Sequence, residues 1–467
     1  MFELKKMKQS GVFEFKEYKG TYIYDTKYLH INFDDKFEKK NLGRNLDIAK
    51  QISNTWMPVK NSIDGYTIYN LGRRVFNDEV HHYDLSFEVI AISSIHENGS
   101  DFRFGNDVSI YFFSNAIYDF SHDDALEEEF HKSVISNNYE RTCKKLSVIY
   151  KKRKTELEFS YFVKYDKNEH GRYSPAWYIK VNGLKSIDEV MDMKNILTHT
   201  LNLFLHCDNS DVNLIEFRSL DPNRFTPIIS TIEFLHESTY KINNRLFGNI
   251  KINDVIDIYP EVFRLISCQK LNLVMLNKVS EYLSLYDVMN TVSSFQDMFD
   301  LLIMKKKIVP ISKKEKKYLR QEIENILIKQ VGDVQYEERF KTIIDNIPLI
   351  DLKDQVIFTL ERYESVILDE GMLRVSNMVF SRYKFDKEVI AQRVKDGRHI
   401  IAHGIYKKSV AGFVYYDMLL LQVIYYLMLF EMIGVEQLRS TYLVELIFNG
   451  ISHINTKTND GSNEKKK

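Results

Sequence analysis

Residues 396–404, Asp-Gly-Arg-His-Ile-Ile-Ala-His-Gly, bring a guanidinium, Arg398, and two imidazoles, His399 and His403, into one short stretch of an otherwise very apolar C-terminal region. A cation that stays charged beside a group that takes up and releases a proton near neutrality is the minimum equipment of an acid–base reaction centre. The plainer reading is a core histidine bonded to a backbone carbonyl, with the arginine on a solvated face. The spacing alone does not separate the two. Arg74 and His81, and Arg393 and His399, stand at closely similar separations. Context has to supply the specificity.

Three features of context favour chemistry. From Asp386 to His403, Ile390, Val394 and Ile401 recur at intervals of four and seven, compatible with one apolar face of a helix. Arg398 and His403 are then about 140° apart around the axis, so both can border a groove that flanks this face. Gly404 follows at once, the residue type that closes a helix in a left-handed cap, which places His403 on the last turn where the helix dipole favours its protonated form. Finally, the strongly apolar segment Met418–Phe430 follows, able to cover one side of the motif helix and leave the groove to a second subunit. Gly397 lies inside this helix at a cost of about 1 kcal/mol relative to Ala. Close approach of a symmetry-related helix is one reason for it, a simple kink another.

The chain that must position these residues falls into two parts. The first reads as mostly strand: TELEFSYFVK (155–164) alternates apolar and polar residues, and similar runs occur at 20–24, 28–33, 66–70, 85–92, 107–113, 146–150 and 176–181. Two helices interrupt them, one near 123–134 and one near 187–206, the latter opening with the capping-box spacing Ser186…Glu189. From about residue 250 helical periodicity takes over, at roughly 270–304, 313–331, 335–346, 352–368, 386–403 and 410–433. The expected fold class is α+β: a β-rich N-terminal domain over 1–250, an all-α bundle over 251–455, and a polar tail, 456–467, without fixed structure.

The string Arg398-His399-Ile400-Ile401-Ala402-His403 resembles the R-(polar)-x3-H motif of HEPN ribonucleases. With Gly404 it is similar to the R-N-x-x-A-H-G form of the ApeA-type branch, in which a β-rich N-terminal region precedes a C-terminal HEPN helical domain. The motif covers seven residues and the architecture nearly the whole chain. One position departs, since His399 stands where Asn is common. The resemblance implies a HEPN-like bundle and metal-independent RNA cleavage by a homodimer, or a higher even oligomer, whose motif helices meet in a shared cleft. RNA carries its own nucleophile in the 2′-OH. His403 would then move protons, Arg398 would stabilise the charged phosphorane, and His399 would complete the catalytic set. Lys407 and Lys408, directly after the motif, would contact flanking phosphates. Products would carry a 2′,3′-cyclic phosphate, and DNA would be spared. The expected RNA is cellular, tRNA among the candidates, and the expected setting is bacterial anti-phage defence by abortive infection, released by a phage-derived trigger through the N-terminal domain. No cofactor or metal is called for. The competing reading is a non-catalytic HEPN-like dimerisation or RNA-binding protein with a β domain that recognises a ligand or protein.

Composition narrows the field further. With 64 basic and 65 acidic side chains, the chain cannot coat nucleic acid or membrane by charge alone. Residues 301–467 carry 27 Lys and Arg against 22 Asp and Glu, a tilt that favours the C-terminal part for RNA. Cys143, Cys207 and Cys268 are odd in number and far apart, so neither a disulfide framework nor a zinc knuckle is expected. Together with an opening that lacks the apolar run of a signal peptide, this points to the cytoplasm. Met418–Phe430 is too short for a bilayer span of about 20 residues and reads as a buried helix.

Three other groups of polar residues carry less. Asp124, Glu128 and His131, with His122 near, could line one helix face as metal ligands, but an acidic first turn capped by Ser121 or Asp123 accounts for them more simply. His199 and His206, seven apart, share a helix face and read as half-buried polar residues. The aromatic residues of the strands read as core before they read as platforms for bases.

Overall fold

A computed structural model describes residues 9–15, 18–25, 27–33, 56–61, 66–75, 84–95, 108–121, 140–166, 172–206, 210–219, 228–234, 250–271, 285–306, 351–369, 384–402 and 414–459, with a few isolated positions between 318 and 380. The N-terminal half is built on antiparallel strands and the C-terminal half on helices, a mixed architecture in the expected order. The chain forms two compact units. One comprises residues 1–201, 209–243 and 251–256, the other 202–208, 244–250 and 257–467. The division is therefore more interleaved than a single cut at residue 250.

The first unit carries twelve strands in the order β3-β2-β1-β4-β5-β6-β12-β11-β7-β10-β9-β8. The first six are β1 (Gln9–Phe15), β2 (Tyr18–Tyr24), β3 (Tyr28–Phe33), β4 (Trp56–Asn61), β5 (Tyr66–Val75) and β6 (Asp84–Ile95). They close on themselves, because β3 also pairs with β6, with His30 opposite Ser86 and Ile31 opposite Leu85. Closure requires curvature, and two register shifts between β5 and β6, at Asn70/Leu71 and Leu71/Arg74, are the kind of irregularity that provides it. Tyr22, Tyr24, Leu29 and Ile31 are buried, the alternate positions of β2 and β3.

The 12-residue β6 serves twice. Its first half pairs with β3, and its second half, Ala91–Ser94, pairs with β12 (Ile228–Phe234). From there the sheet runs outward through β11 (Leu214–Ser219), β7 (Val108–Phe113), β10 (Arg172–Asn182), β9 (Arg153–Asp166) and β8 (Glu140–Tyr150). Helices α1 (Asn115–Ser121) and α2 (Ile187–Leu205) meet aromatic residues of this extension: Tyr118 lies against Trp177, Phe120 against Phe159, and the Lys194 ammonium 4.5 Å from the ring centre of Phe234. The start of α2 is fixed as its sequence suggests, with the Glu189 amide donating to the Ser186 hydroxyl. The Glu189 carboxylate reaches back one residue further than a capping box requires, to the Lys185 amide, because its other oxygen takes Arg153 at 2.6 Å.

Eight expected strands are present. Four more, β1, β4, β11 and β12, carry shorter or weaker alternation and are found only in the structure. Helix α1 precedes the helix expected near 123–134, which lies outside the described residues together with His122, Asp124, Glu128 and His131.

The second unit begins with the final residues of α2 and continues through α4 (Tyr259–Ser267), α5 (Leu285–Lys306), α6 (Leu352–Arg362), α7 (Glu364–Ile367), α8 (Lys387–Ala402), α9 (Val414–Met432) and α10 (Gln437–Asn459), after the short α3 (Ile252–Val255) of the first. Of the stretches expected to be helical, 335–346 lies outside the described residues, and in 313–331 only Tyr318, Gln321, Glu322 and Asn325 are described, as helix. Helix α10 runs to Asn459, four residues into the tail expected to lack structure. Every residue from Asp417 to Phe430 is buried, so the apolar run is the covered centre of this unit. No helix among the described residues is long and apolar enough to cross a membrane.

Candidate functional site

The motif helix α8 is held by its two sides. Ile390, Ala391, Val394 and Gly397 are buried and define the face turned inward, while Glu388, Val389, Gln392, Lys395, Asp396 and His399 are exposed. Arg398 stands at the border, half-buried, one residue beyond Gly397. Such a place suits a long cation whose stem packs and whose head reaches solvent.

Ion pairs set the helix in place. Lys395 donates to Asp351 at 2.6 Å, and Lys353 reaches Glu388 at 2.7 Å, so α8 is tied to the first turn of α6 at two points. Lys387 pairs with Glu364 on α7 at 3.2 Å. These contacts are exposed and individually weak. The interior contact is of a different kind. Arg393 makes a two-pronged pair with Asp417 in the first turn of α9, Nε to Oδ2 at 2.8 Å and Nη2 to Oδ1 at 2.7 Å, and the Asp417 side chain is 1% exposed. The far end of α9 is anchored similarly, its Glu431 accepting from Arg362 and from the Tyr363 hydroxyl.

This geometry bears on the ambiguity among arginine–histidine spacings. Arg393, the alternative partner for His399, is committed to a buried carboxylate. Arg74 lies in β5 opposite Phe87, and His81 is outside the described residues. Arg398, half-buried at the border of the inward face, is left as the arginine of this helix for the motif. His399 is on the exposed face. His403, Gly404, Lys407 and Lys408 lie outside the described residues, which end at Ala402 and resume at Val414. The structure therefore places Arg398 and His399 on one helix and does not test their relation to His403 or to the two lysines.

Gly397 can be assessed directly. A Cβ built there meets nothing within 4 Å, so no described neighbour in the same chain demands a glycine.

The histidines of α2 behave differently from the expected pair. His199 is exposed, whereas His206 is wholly buried, with Nδ1 3.3 Å from the Tyr426 hydroxyl and its ring 4.5 Å from that of Phe448. The helix ends at Leu205, and His206 turns to φ +47°, which breaks the heptad phase that would align the two. The Tyr426 hydroxyl donates to the Leu203 carbonyl at 2.6 Å, satisfying one of the last acceptors of α2. Among the described residues no group of three His, Cys, Asp or Glu is placed to hold a metal ion.

Asp417 and Glu431, which bound the apolar run Met418–Phe430 in the sequence, are its ionic anchors. The signal was present, because a carboxylate inside so apolar a context needs a cationic partner. Comparison of the chain with models of protein families, with curated proteins and with solved structures gave no match.

Proposed function

We propose that the chain is a metal-independent endoribonuclease of the HEPN type. Arg398 grips the scissile phosphate and His403 moves protons between the 2′-OH and the departing 5′-oxygen. His399 supports them, and Lys407 and Lys408 hold flanking phosphates. The observation that carries this reading is the division of labour on α8: Arg393 is committed to the buried Asp417, while Arg398, five residues on and likewise half-buried, borders the buried face on the other side. A guanidinium in that position can meet two phosphate oxygens at once, and it stays cationic throughout the reaction. Proton transfer by a histidine contributes about 10²–10⁴ in rate.

In this proposal the active species is a homodimer or higher even oligomer, with motif helices from two copies lining one cleft. The substrate is cellular RNA, tRNA among the candidates, and the biological setting is cytoplasmic anti-phage defence by abortive infection, with the β-rich unit restraining the nuclease until a phage-derived trigger releases it.

The test is incubation of the purified protein with total RNA in EDTA. Cleavage that leaves 2′,3′-cyclic phosphate ends and is lost in both Arg398→Ala and His403→Ala is the expected result. Cleavage unchanged in both variants would place the activity elsewhere, and EDTA-sensitive cleavage would point to a metal-dependent hydrolase instead.

A further inference from the structure

Strand β8 ends the sheet of the first unit: among the described residues it pairs with β9 on one side and with no strand on the other. An open edge is a row of unused backbone donors and acceptors. Which of them face outward follows from the register. Tyr150 and Arg153 flank a two-residue turn and are therefore a hydrogen-bonded pair, and the ladder alternates from there. Val148 with Thr155 and Leu146 with Leu157 turn their amides and carbonyls into the sheet, whereas Ile149, Ser147 and Lys145 turn theirs to the open side. The register is unbroken from Lys144 to Tyr150, its irregularity lying earlier, between Thr142 and Lys144.

The side chains of this run fall into two sets. Leu146, Val148 and Tyr150 are buried and hold the strand in place, while Lys145, Ser147 and Ile149 are exposed, Ile149 to 50%. Lysine and a bulge are common safeguards of an edge. Here the bulge lies outside the regular run, Lys145 is drawn to Glu158 at 3.0 Å and Glu156 at 3.5 Å, and Ile149 leaves an apolar β-branched side chain in the open. Cations gather around it. Residues 144–154, KKLSVIYKKRK, hold six of them and no acid. Lys151 and Arg153 are taken up by Asp192 and Glu189, but Lys144, Lys152 and Lys154 form no ion pair among the described residues. Lys151 and Lys152 also keep left-handed backbone conformations that suit Asn and Gly better, so the turn retains its charge despite backbone strain.

We propose that the open edge of β8 is a docking site for an extended acidic peptide segment of another protein, which joins the sheet as a further strand. Its backbone meets the outward groups of Lys145, Ser147 and Ile149, an apolar side chain lies beside Ile149, and carboxylates at its two ends meet Lys144 and the pair Lys152 and Lys154. A nucleic-acid phosphate backbone would use the cations but has nothing to donate to the outward carbonyls. A second β8 would set cations against cations. This surface lies in the first unit alone and owes nothing to the ribonuclease reading.

The test uses the full-length protein and the peptide Ac-Glu-Glu-Tyr-Val-Val-Thr-Ile-Thr-Glu-NH2, which in antiparallel register sets its fourth residue opposite Ile149 and its last opposite Lys144. Fluorescence anisotropy measures binding, and hydrogen exchange read by mass spectrometry reports the β8 amides. The expected result is binding that slows exchange over 144–150 and weakens about tenfold or more when the peptide is N-methylated at its fourth and sixth residues. Ser147→Pro should weaken it similarly, because proline there removes an outward amide and leaves the β9 ladder intact. Lys152→Glu with Lys154→Glu should weaken it severalfold and lessen its dependence on salt. Full binding by the N-methylated peptide would reduce the contact to charge and overturn the proposal, a comparison that stands even where Ser147→Pro does not fold. Unslowed exchange at millimolar peptide would overturn it as well. So would an RNA oligonucleotide that protects the same amides in place of the peptide, or a wild-type dimer that Ser147→Pro dissociates, since these give the edge to another occupant.

Discussion

Lys395 on the motif helix and Leu352–Arg362 are joined through a single carboxylate, that of Asp351. One oxygen of Asp351 accepts the Asp354 amide at 3.1 Å and caps α6, and the other accepts the Lys395 ammonium at 2.6 Å. Partial burial pushes the Asp351 carboxyl upward, but Lys395 and the amides of Asp354 and Lys353 outweigh it and hold its pKa below the ordinary value. Because the folded-state value is depressed, the associated stability is fully present above the unfolded pKa of about 3.9 and is lost as pH falls through the lower folded value. Asp351→Ala should cost about 1 kcal/mol as a lost cap. Urea titrations of both proteins at pH 7 and again below pH 3 check this, the difference shrinking at the acid end.

Gly397→Ala separates the two explanations of the helical glycine. Among the described residues no atom obstructs the new methyl, so the substitution should raise stability by about 0.5–1 kcal/mol through helix propensity. If α8 closely faces its symmetry mate, the same variant dissociates more readily and cleaves less RNA. Chemical denaturation and sedimentation velocity on one preparation read both effects, and a more stable variant with unchanged self-association would leave the bare kink as the explanation.

The two lysines after the motif give a salt prediction. Each phosphate contact on single-stranded nucleic acid contributes about 0.7 to the slope of log K against log salt. Replacing both Lys407 and Lys408 by Ala should therefore flatten that slope by about 1.4 and weaken binding to all sequences alike. Fluorescence anisotropy with catalytically silent RNA at several salt concentrations measures it, and an unaltered slope removes these lysines from the binding surface.

The β8–β9 hairpin offers a prediction independent of function. Tyr150 pairs with Arg153, leaving a two-residue turn in which Lys151 and Lys152 both have positive φ, +45° and +64°. Side chains other than Gly or Asn are disfavoured in both places. Lys151→Asn with Lys152→Gly should stabilise the first unit by about 1 kcal/mol, less whatever the exposed 3.3 Å contact of Lys151 with Asp192 supplies. Thermal melts followed by near-UV circular dichroism, to which the nearby tyrosines contribute, give the answer.

Tyr426→Phe tests the buried end of α2. The lost hydroxyl removes the shorter of two hydrogen bonds to the Leu203 carbonyl, which keeps the His206 amide at 3.3 Å, and takes a polar neighbour from the wholly buried His206 ring. A loss of about 1 kcal/mol is expected, since one hydrogen bond goes and the acceptor keeps its other donor. Equilibrium denaturation of the two proteins gives the difference.

Local pattern was enough to read much of this chain. TELEFSYFVK alternates along β9, where Thr155, Leu157, Phe159 and Tyr161 share one buried side; the other side is exposed at Glu156 but covered at Glu158 and Ser160, so the period of two marks the strand without telling how far its polar side is covered. Met418–Phe430 is apolar all round because it is covered all round. The order of strands and then helices, the cap at Ser186 and the helix that carries Arg398 follow from such one-dimensional signals. Pairing does not. Nothing near Tyr28–Phe33 announces that it meets both β2 and β6, or that β6 divides itself between a closed set of strands and an open extension, because partner choice depends on surfaces remote in sequence. The same holds at the candidate site. Arg393 and Arg398 are equivalent as letters and both are half-buried, and only the placement of Asp417, 24 residues on, commits Arg393 to a buried carboxylate. His199 and His206 share a heptad phase on paper and part company in space, because the helix ends one residue too early. Residue types determined which groups could do chemistry; tertiary contacts between distant segments decided which were already occupied holding the fold together.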